Sequence, residues 1–160
     1  MKIIVRAMTA ADLLVVSELD MLSFSQPWPK NAFETELANP NARCWVADAP
    51  STLPVVAGQG GQVAAALVFL CVLDEAHLAT IAVHPAFRRR GLARLLLQTA
   101  MDAAYAEGAR IYHLEVRAGN EVAQKLYTEF GFEIVGRRAS YYSDTGEDAV
   151  LMTKTVSSEQ

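Results

Sequence analysis

Ile81-Ala82-Val83-His84-Pro85-Ala86-Phe87-Arg88-Arg89-Arg90-Gly91-Leu92-Ala93 runs from a strand-like apolar trio through a basic turn into the first residues of an apolar-striped helix. A helix start leaves backbone N–H groups without partners, and its dipole favours an anion. Gly91 and Ala93 remove the side chains that would keep phosphate oxygens from that backbone, and Arg88, Arg89, Arg90 and Arg94 crowd the same turn. The segment predicts a turn that holds a pyrophosphate; a solvated arginine cluster at a helix start is the plain alternative. Neither G-x-x-x-x-G-K-[ST] nor G-x-G-x-x-G is present, so the commoner nucleotide loops are excluded.

Working outward, Leu92, Leu95, Leu96, Thr99, Ala100, Ala103 and Ala104 recur at the spacing of one buried helix face, with Gly108 as a left-handed stop. Thr9 with Asp12 makes a capping-box-like start for a helix to about Leu22, and Pro29 opens another that ends at Asn39-Pro40. Strands are expected at 2–7, 42–48, 62–72, 76–83, 110–117, 132–138 and 147–155, and a short helix at 121–130, stopped by Gly131. A Pro/Gly/Ser-rich loop spans Pro50 to Gly61. That order predicts an α/β fold in one domain, 1–160: a mixed sheet with helices on both faces.

At 160 residues, with 52% hydrophobic and 20% charged, the chain has the profile of a compact soluble protein. Val63 to Val72 is too short to span a membrane, and the N-terminus reads as an acidic, periodic helix instead of a signal peptide, so a cytoplasmic location is expected. Cys44 and Cys71 stand apart from any grouping at metal-ligand spacing and read as small core residues; no metal is expected. With 18 acidic against 14 basic residues the net charge is −4, which argues against a general nucleic-acid binder. Positive charge is concentrated at the arginine turn, and the surplus of carboxylates elsewhere suits a cationic second substrate.

The candidate chemistry lies on Leu114-Glu115-Val116-Arg117 and the helix after it. Alternation puts Ile111, His113 and Glu115 on one strand face, with Glu115 mid-strand among residues that read as buried. Its plain reading is an ion pair with Arg117; its functional reading is a general base whose pKa partial burial has lifted. Asn120 reads as a helix cap that also offers its amide to a ligand. Tyr127 falls on the stripe Val122, Ala123, Leu126, Tyr127, Phe130, either as a core aromatic or as a proton donor to a leaving group.

Arg88, Gly91 and Ala93 satisfy [QR]-x-x-[GA]-x-[GA], and in this the segment resembles motif A of the GNAT superfamily of acyl-CoA-dependent N-acetyltransferases. The resemblance implies a GNAT-like, mostly antiparallel mixed sheet. It also implies that the turn of Arg88, Arg89, Arg90, Gly91, Leu92, Ala93 and Arg94 grips the pyrophosphate of acetyl-CoA, and that Ile81, Ala82 and Val83 splay open to pair with the pantetheine arm. Further matches are Pro27-Trp28 before Phe33, Leu73-Asp74-Glu75-Ala76, Leu114 to Ala118, Leu126-Tyr127 with Gly131-Phe132, Arg137-Arg138 before Tyr141-Tyr142, and Glu147-Asp148-Ala149. These resemble the bacterial ribosomal-protein-alanine N-alpha-acetyltransferases over nearly the whole chain; the longer Pro50 to Gly61 loop is the main departure.

The resemblance implies Glu115 as general base, Tyr127 as general acid, Asn120 as an acetyl-CoA contact, and a protein N-terminus, that of a ribosomal protein, as acceptor in direct transfer. An α-amine with pKa about 8 is roughly a tenth neutral at pH 7, whereas lysine near 10.4 is lower by about 3 kcal/mol, so the α-amine is the easier acceptor. The alternatives are a lysine or small-amine acetyltransferase of the same fold, a CoA-binding module without catalysis, and a ping-pong cycle through Cys71 assisted by His77 or His84.

Overall fold

The structure, a computed structural model, describes residues 2–29, 31–50 and 62–157. Seven strands, β1 (Ile4–Ala7), β2 (Ala42–Ala49), β3 (Gln62–Val72), β4 (Glu75–Val83), β5 (Ile111–Arg117), β6 (Glu133–Tyr142) and β7 (Glu147–Thr155), form one sheet in the order β1-β2-β3-β4-β5-β7-β6. Four helices accompany them: α1 (Leu13–Ser23), α2 (Ala32–Ala38), α3 (Leu92–Ala106) and α4 (Glu121–Glu129). The run from Val63 to Val72 lies in the central strand β3, where Ala64 to Phe69 are all buried because helices cover both faces. Among the described residues no helix is long and apolar enough to cross a membrane. From residue 51 onward, the loop expected from Pro50 to Gly61 lies outside the described residues.

On one face Val16, Leu19 and Phe33 of α1 and α2 pack on Val46, Ala66, Val68 and Ala82. On the other, Leu92, Leu96, Leu97, Ala100, Met101 and Ala104 of α3 pack with Ala65, Leu67, Phe69, Tyr112 and Leu114. The α3 face is rotated from the expected one: Leu97 and Met101 are buried and Leu95 is 41% exposed. Leu95-Leu96-Leu97 offers no contrast between neighbouring positions, so periodicity leaves the face uncertain by one residue. Asp12 accepts the Thr9 backbone N–H at 2.8 Å as the capping box predicts, but a single 3₁₀ turn, Ala10–Asp12, precedes α1. Arg110 precedes β5 and stacks over Tyr105 at 3.8 Å, while β6 extends to Tyr142, past the expected residue 138.

All neighbouring strands are antiparallel except β4 and β5. That parallel pair lasts only from Glu75–His77 against Ile111–His113. Against β3, Val68 opposes Thr80 and Phe69 opposes Leu78, so Ala79 is an extra residue. A bulge of this kind bends and twists its strand, and it falls where β4 leaves β5. Beyond it the two strands part, and one side of Leu78–Val83 faces open space.

Candidate active site

The gap between the parting strands is a cleft of about 990 Å³. Leu78 to Val83 form one wall and Glu115 to Arg117 the other; Arg88, Arg89 and Gly91 to Arg94 border it from the α3 side, and Ser23 to Gln26 with Trp28 and Tyr142 from the α1 side. Ile81, Ala82, Val83, Arg88, Arg89, Gly91, Leu92, Ala93, Arg94, Glu115, Asn120 and Tyr127, far apart in sequence, all line it. Arg90 is not among the lining residues: its guanidinium lies 5.6 Å over the Phe87 ring.

The turn is held by local bonds. The Ala86 N–H donates to His84 Nδ1 at 3.0 Å, and Arg88 Nε donates to the Val83 carbonyl at 3.3 Å. Gly91 caps α3 with φ 77°, in the left-handed region that glycine enters without strain. Nothing lies within 4 Å of where its Cβ would be, so the absent side chain leaves open approach to the helix N-terminus. Arg89 is left-handed as well, at φ 63°, a conformation that costs a side-chain-bearing residue about 1–2 kcal/mol. Strain of this sort persists where surrounding structure enforces it and is concentrated at ligand-binding turns.

Glu115 is neither paired with Arg117 nor raised in pKa. Its Oε2 lies 2.5 Å from His77 Nε2 across the strand pair. That hydrogen bond holds the carboxyl below its ordinary value of 4.5, outweighing the upward push of burial, with His77, Arg138 and His113 adding attraction. The buried face of β5 is that of Tyr112, Leu114 and Val116, and the Glu115 face is half open. Arg117 turns instead to Asp144, at 3.0 Å, and to Glu147, at 3.4 Å.

Tyr127 is buried, with its ring 6.0 Å from Phe132, and burial pushes its phenol up to about 12. Of its expected stripe, Val122 is 84% exposed, because the first turn of α4 borders the cleft and not the core. Asn120 caps α4 through its side-chain oxygen, which accepts the Ala123 N–H at 3.1 Å. The cap uses the oxygen alone, so capping and an amide contact to a ligand are compatible. Cys71 is not among the cleft-lining residues, His77 is engaged by Glu115 and His84 by Ala86, and burial raises the Cys71 thiol. Burial outweighs the attraction of Arg43 there, so Cys71 lacks the lowered pKa of an activated thiolate.

The Acetyltransferase (GNAT) family profile matches residues 13–132. The chain belongs to the GNAT family of acetyltransferases. It is an enzyme of that class, and acetyl-CoA is its co-substrate. The chain is 35% identical over 156 residues to a putative [ribosomal protein bS18]-alanine N-acetyltransferase of Bacillus subtilis (strain 168), covering 97% of both chains. It is 37% identical over 150 residues to the N-alpha-acetyltransferase RimI of Mycobacterium tuberculosis, covering 92% of this chain and 89% of that one. Among solved structures it superposes on the ribosomal-protein-S18-alanine N-acetyltransferase from Escherichia coli with TM-score 0.84 and 30% identity, covering 98% of this chain and 95% of the other.

In this GNAT enzyme the α1 side of the cleft joins Trp28, Arg117, Tyr142 and Glu147, which the sequence marked without a place in the site, to Asp20, Ser25, Gln26, Ser143 and Asp144, which carried no signal. The Asp20 carboxylate accepts the Trp28 backbone N–H at 2.7 Å and seats the α1–α2 segment. Ser25 donates to Asp144, Gln26 donates to the Ser143 hydroxyl at 2.8 Å, and Arg117 stacks 4.0 Å over Tyr142. Glu147 accepts the Gly119 N–H at 2.6 Å. The Ser25–Asp144 and Gln26–Ser143 bonds strap the α1–α2 segment to the β6–β7 turn across more than a hundred residues, a separation that no local spacing rule reveals. Lys125, the lone basic residue of α4, carries no signal in the sequence beyond that of a surface charge, and the fold turns it into the cleft.

Proposed function

We propose that this chain acetylates the N-terminal α-amine of a protein, that of an N-terminal alanine on a small-subunit ribosomal protein, by direct transfer within a ternary complex in the cytoplasm. The observation that carries the reading is a single cleft reaching both sheet faces, with the arginine turn on the α3 side and Glu115, Arg117 and Tyr142 toward the α1 side. Donor and acceptor can enter from opposite faces and meet between β4 and β5, as direct transfer needs. The names of the B. subtilis and E. coli relatives support the acceptor.

Acetyl-CoA supplies the acyl group as a thioester; the backbone around Gly91, with Arg88 and Arg89, fits its pyrophosphate. A carboxyl held below its ordinary value is a far weaker base than an α-amine with pKa about 8, so Glu115 does not store an ammonium proton. The acceptor therefore reacts from its neutral fraction. Glu115, directly or through a water, takes the proton as the new N–C bond makes the nitrogen acidic, and the His77 hydrogen bond holds the carboxylate in place. A backbone N–H near Val83 steadies the developing oxyanion, and the Tyr127 hydroxyl gives its proton to the departing sulfur.

Peptides beginning with alanine, with the N-terminus free or blocked, are offered with acetyl-CoA alongside a blocked peptide carrying an internal lysine. Acetylation of the free N-terminus alone is expected, and preference for the lysine peptide would overturn the α-amine assignment. Mass spectrometry of ribosomal proteins from cells with and without the chain identifies the acceptor.

A further inference from the structure

The α3 side of the cleft carries more positive charge than a pyrophosphate needs, and part of that charge is already neutralised from within. Arg94 lies three residues beyond Gly91 on α3, and Lys125 lines the same cleft from α4. Glu129, four residues after Lys125 and so on the same helix face, forms an ion pair with Arg94. Arg94 first, and Lys125 with it, hold the Glu129 carboxyl below its ordinary range. One carboxylate thus answers two cations at the cleft edge. A pyrophosphate brings about two negative charges and a phosphate monoester nearly two more, which matches Arg88, Arg89, Arg94 and Lys125 once Glu129 has moved aside. The space for that movement exists: Arg94 and Glu129 also line a second cavity, of about 510 Å³, whose wall includes Lys154.

We propose that Arg94 and Lys125 form a subsite for the 3′-phosphate monoester on the nucleotide end of the donor, and that Glu129 occupies it as an internal substitute until the donor enters. The proposal rests on acetyl-CoA as donor and makes Lys125 and Glu129 specificity-determining residues. A phosphate dianion accepts charge-assisted hydrogen bonds from both cations, which a carboxylate on an exposed helix turn cannot match. Discrimination between donors with and without this phosphate therefore falls on KM and not on kcat.

The test compares acetyl-CoA with acetyl-3′-dephospho-CoA in the whole chain, reading KM, kcat and calorimetric affinity. The wild type is expected to bind acetyl-CoA about tenfold or more tightly than the dephospho donor, as a charge-assisted contact implies. Lys125→Gln is expected to bring that ratio to within about twofold, and Glu129→Gln to lower KM for acetyl-CoA more than for the dephospho donor. Both positions are exposed, so folding is retained, and circular dichroism checks it. Equal affinity of the wild type for the two donors, or discrimination that survives Lys125→Gln, overturns the subsite while leaving the donor assignment intact. If neither donor binds the folded chain, the donor assignment falls with it.

Discussion

Glu115 and Tyr127 are displaced in opposite directions, the carboxyl down by a hydrogen bond and the phenol up by burial, and each displacement keeps its group in the form the proposed chemistry uses. A carboxyl with a depressed pKa stays ionised as pH falls, until below its ordinary 4.5. Acid loss of kcat/KM between about pH 8 and 5 should then follow protonation of the acceptor amine, with a slope near one. A phenol raised to about 12 remains a proton donor past pH 10, so the alkaline side should be a plateau for as long as the fold holds. Glu115→Gln should lower the neutral-pH rate by about 10²–10⁴-fold and recover in part as pH rises, whereas Tyr127→Phe should lose a comparable factor that no pH restores. Near-full activity of Glu115→Gln in a pH–rate series would move the base elsewhere. The signs carry over to stability: the Glu115 contribution is present above pH 4.5 and is lost as pH falls through its depressed value, while that of Tyr127 is present below pH 10 and is lost as pH rises toward 12.

At the scale of elements, the arginine turn and the β6–β7 turn make separable predictions. Gly91→Val finds open space but a left-handed backbone, so a loss of about 1–2 kcal/mol in stability is expected together with much weaker acetyl-CoA binding by calorimetry. Arg89→Gly should relieve the strain at φ 63° and raise or hold the melting temperature while still weakening the donor; weaker binding with greater stability would identify the charge, not the fold, as what was lost. In Gly119→Ala the new Cβ would lie 2.7 Å from Glu147 Oε2, displacing the carboxylate that ties β5 to the β6–β7 turn. Acceptor KM should rise while donor affinity is kept; an unchanged acceptor KM would remove the strap from acceptor binding. Strands, helices and the arginine turn were legible because each is signalled within a few residues, by alternation, by Gly91, by the Asn120 cap. The partner of Glu115 was not: His77 lies 38 positions away and reaches it only through the parallel register of β4 and β5. Arg117 is two residues along and nearer by spacing, but its carboxylate partners Asp144 and Glu147 lie where β6 passes into β7, which only the folded sheet brings near.

Across the whole molecule, β1 to β4 and the β5-β7-β6 group are joined in the sheet by three residue pairs of β4 and β5, and the cleft opens where that pairing stops. Strand β4 is bonded to β3 on one side along its length, so amides of Leu78–Val83 that face β3 and those that face the cleft lie in different environments. On the proposed site, a donor between the strands would bridge the two halves of the sheet, and only in the folded state. At a hundred times Kd, acetyl-CoA should add about 2.7 kcal/mol of stability, which for a chain of this size raises the melting temperature by roughly 5–10 °C. Hydrogen exchange should slow at the cleft-facing amides of Leu78–Val83 and at the N-terminus of α3, and hardly at all in β2 and β3, which are already paired on both sides. Protection spread evenly over all strands would mean that the donor acts through global stability alone. A rise in melting temperature without any protection at Leu78–Val83 would place the donor outside the parted strands.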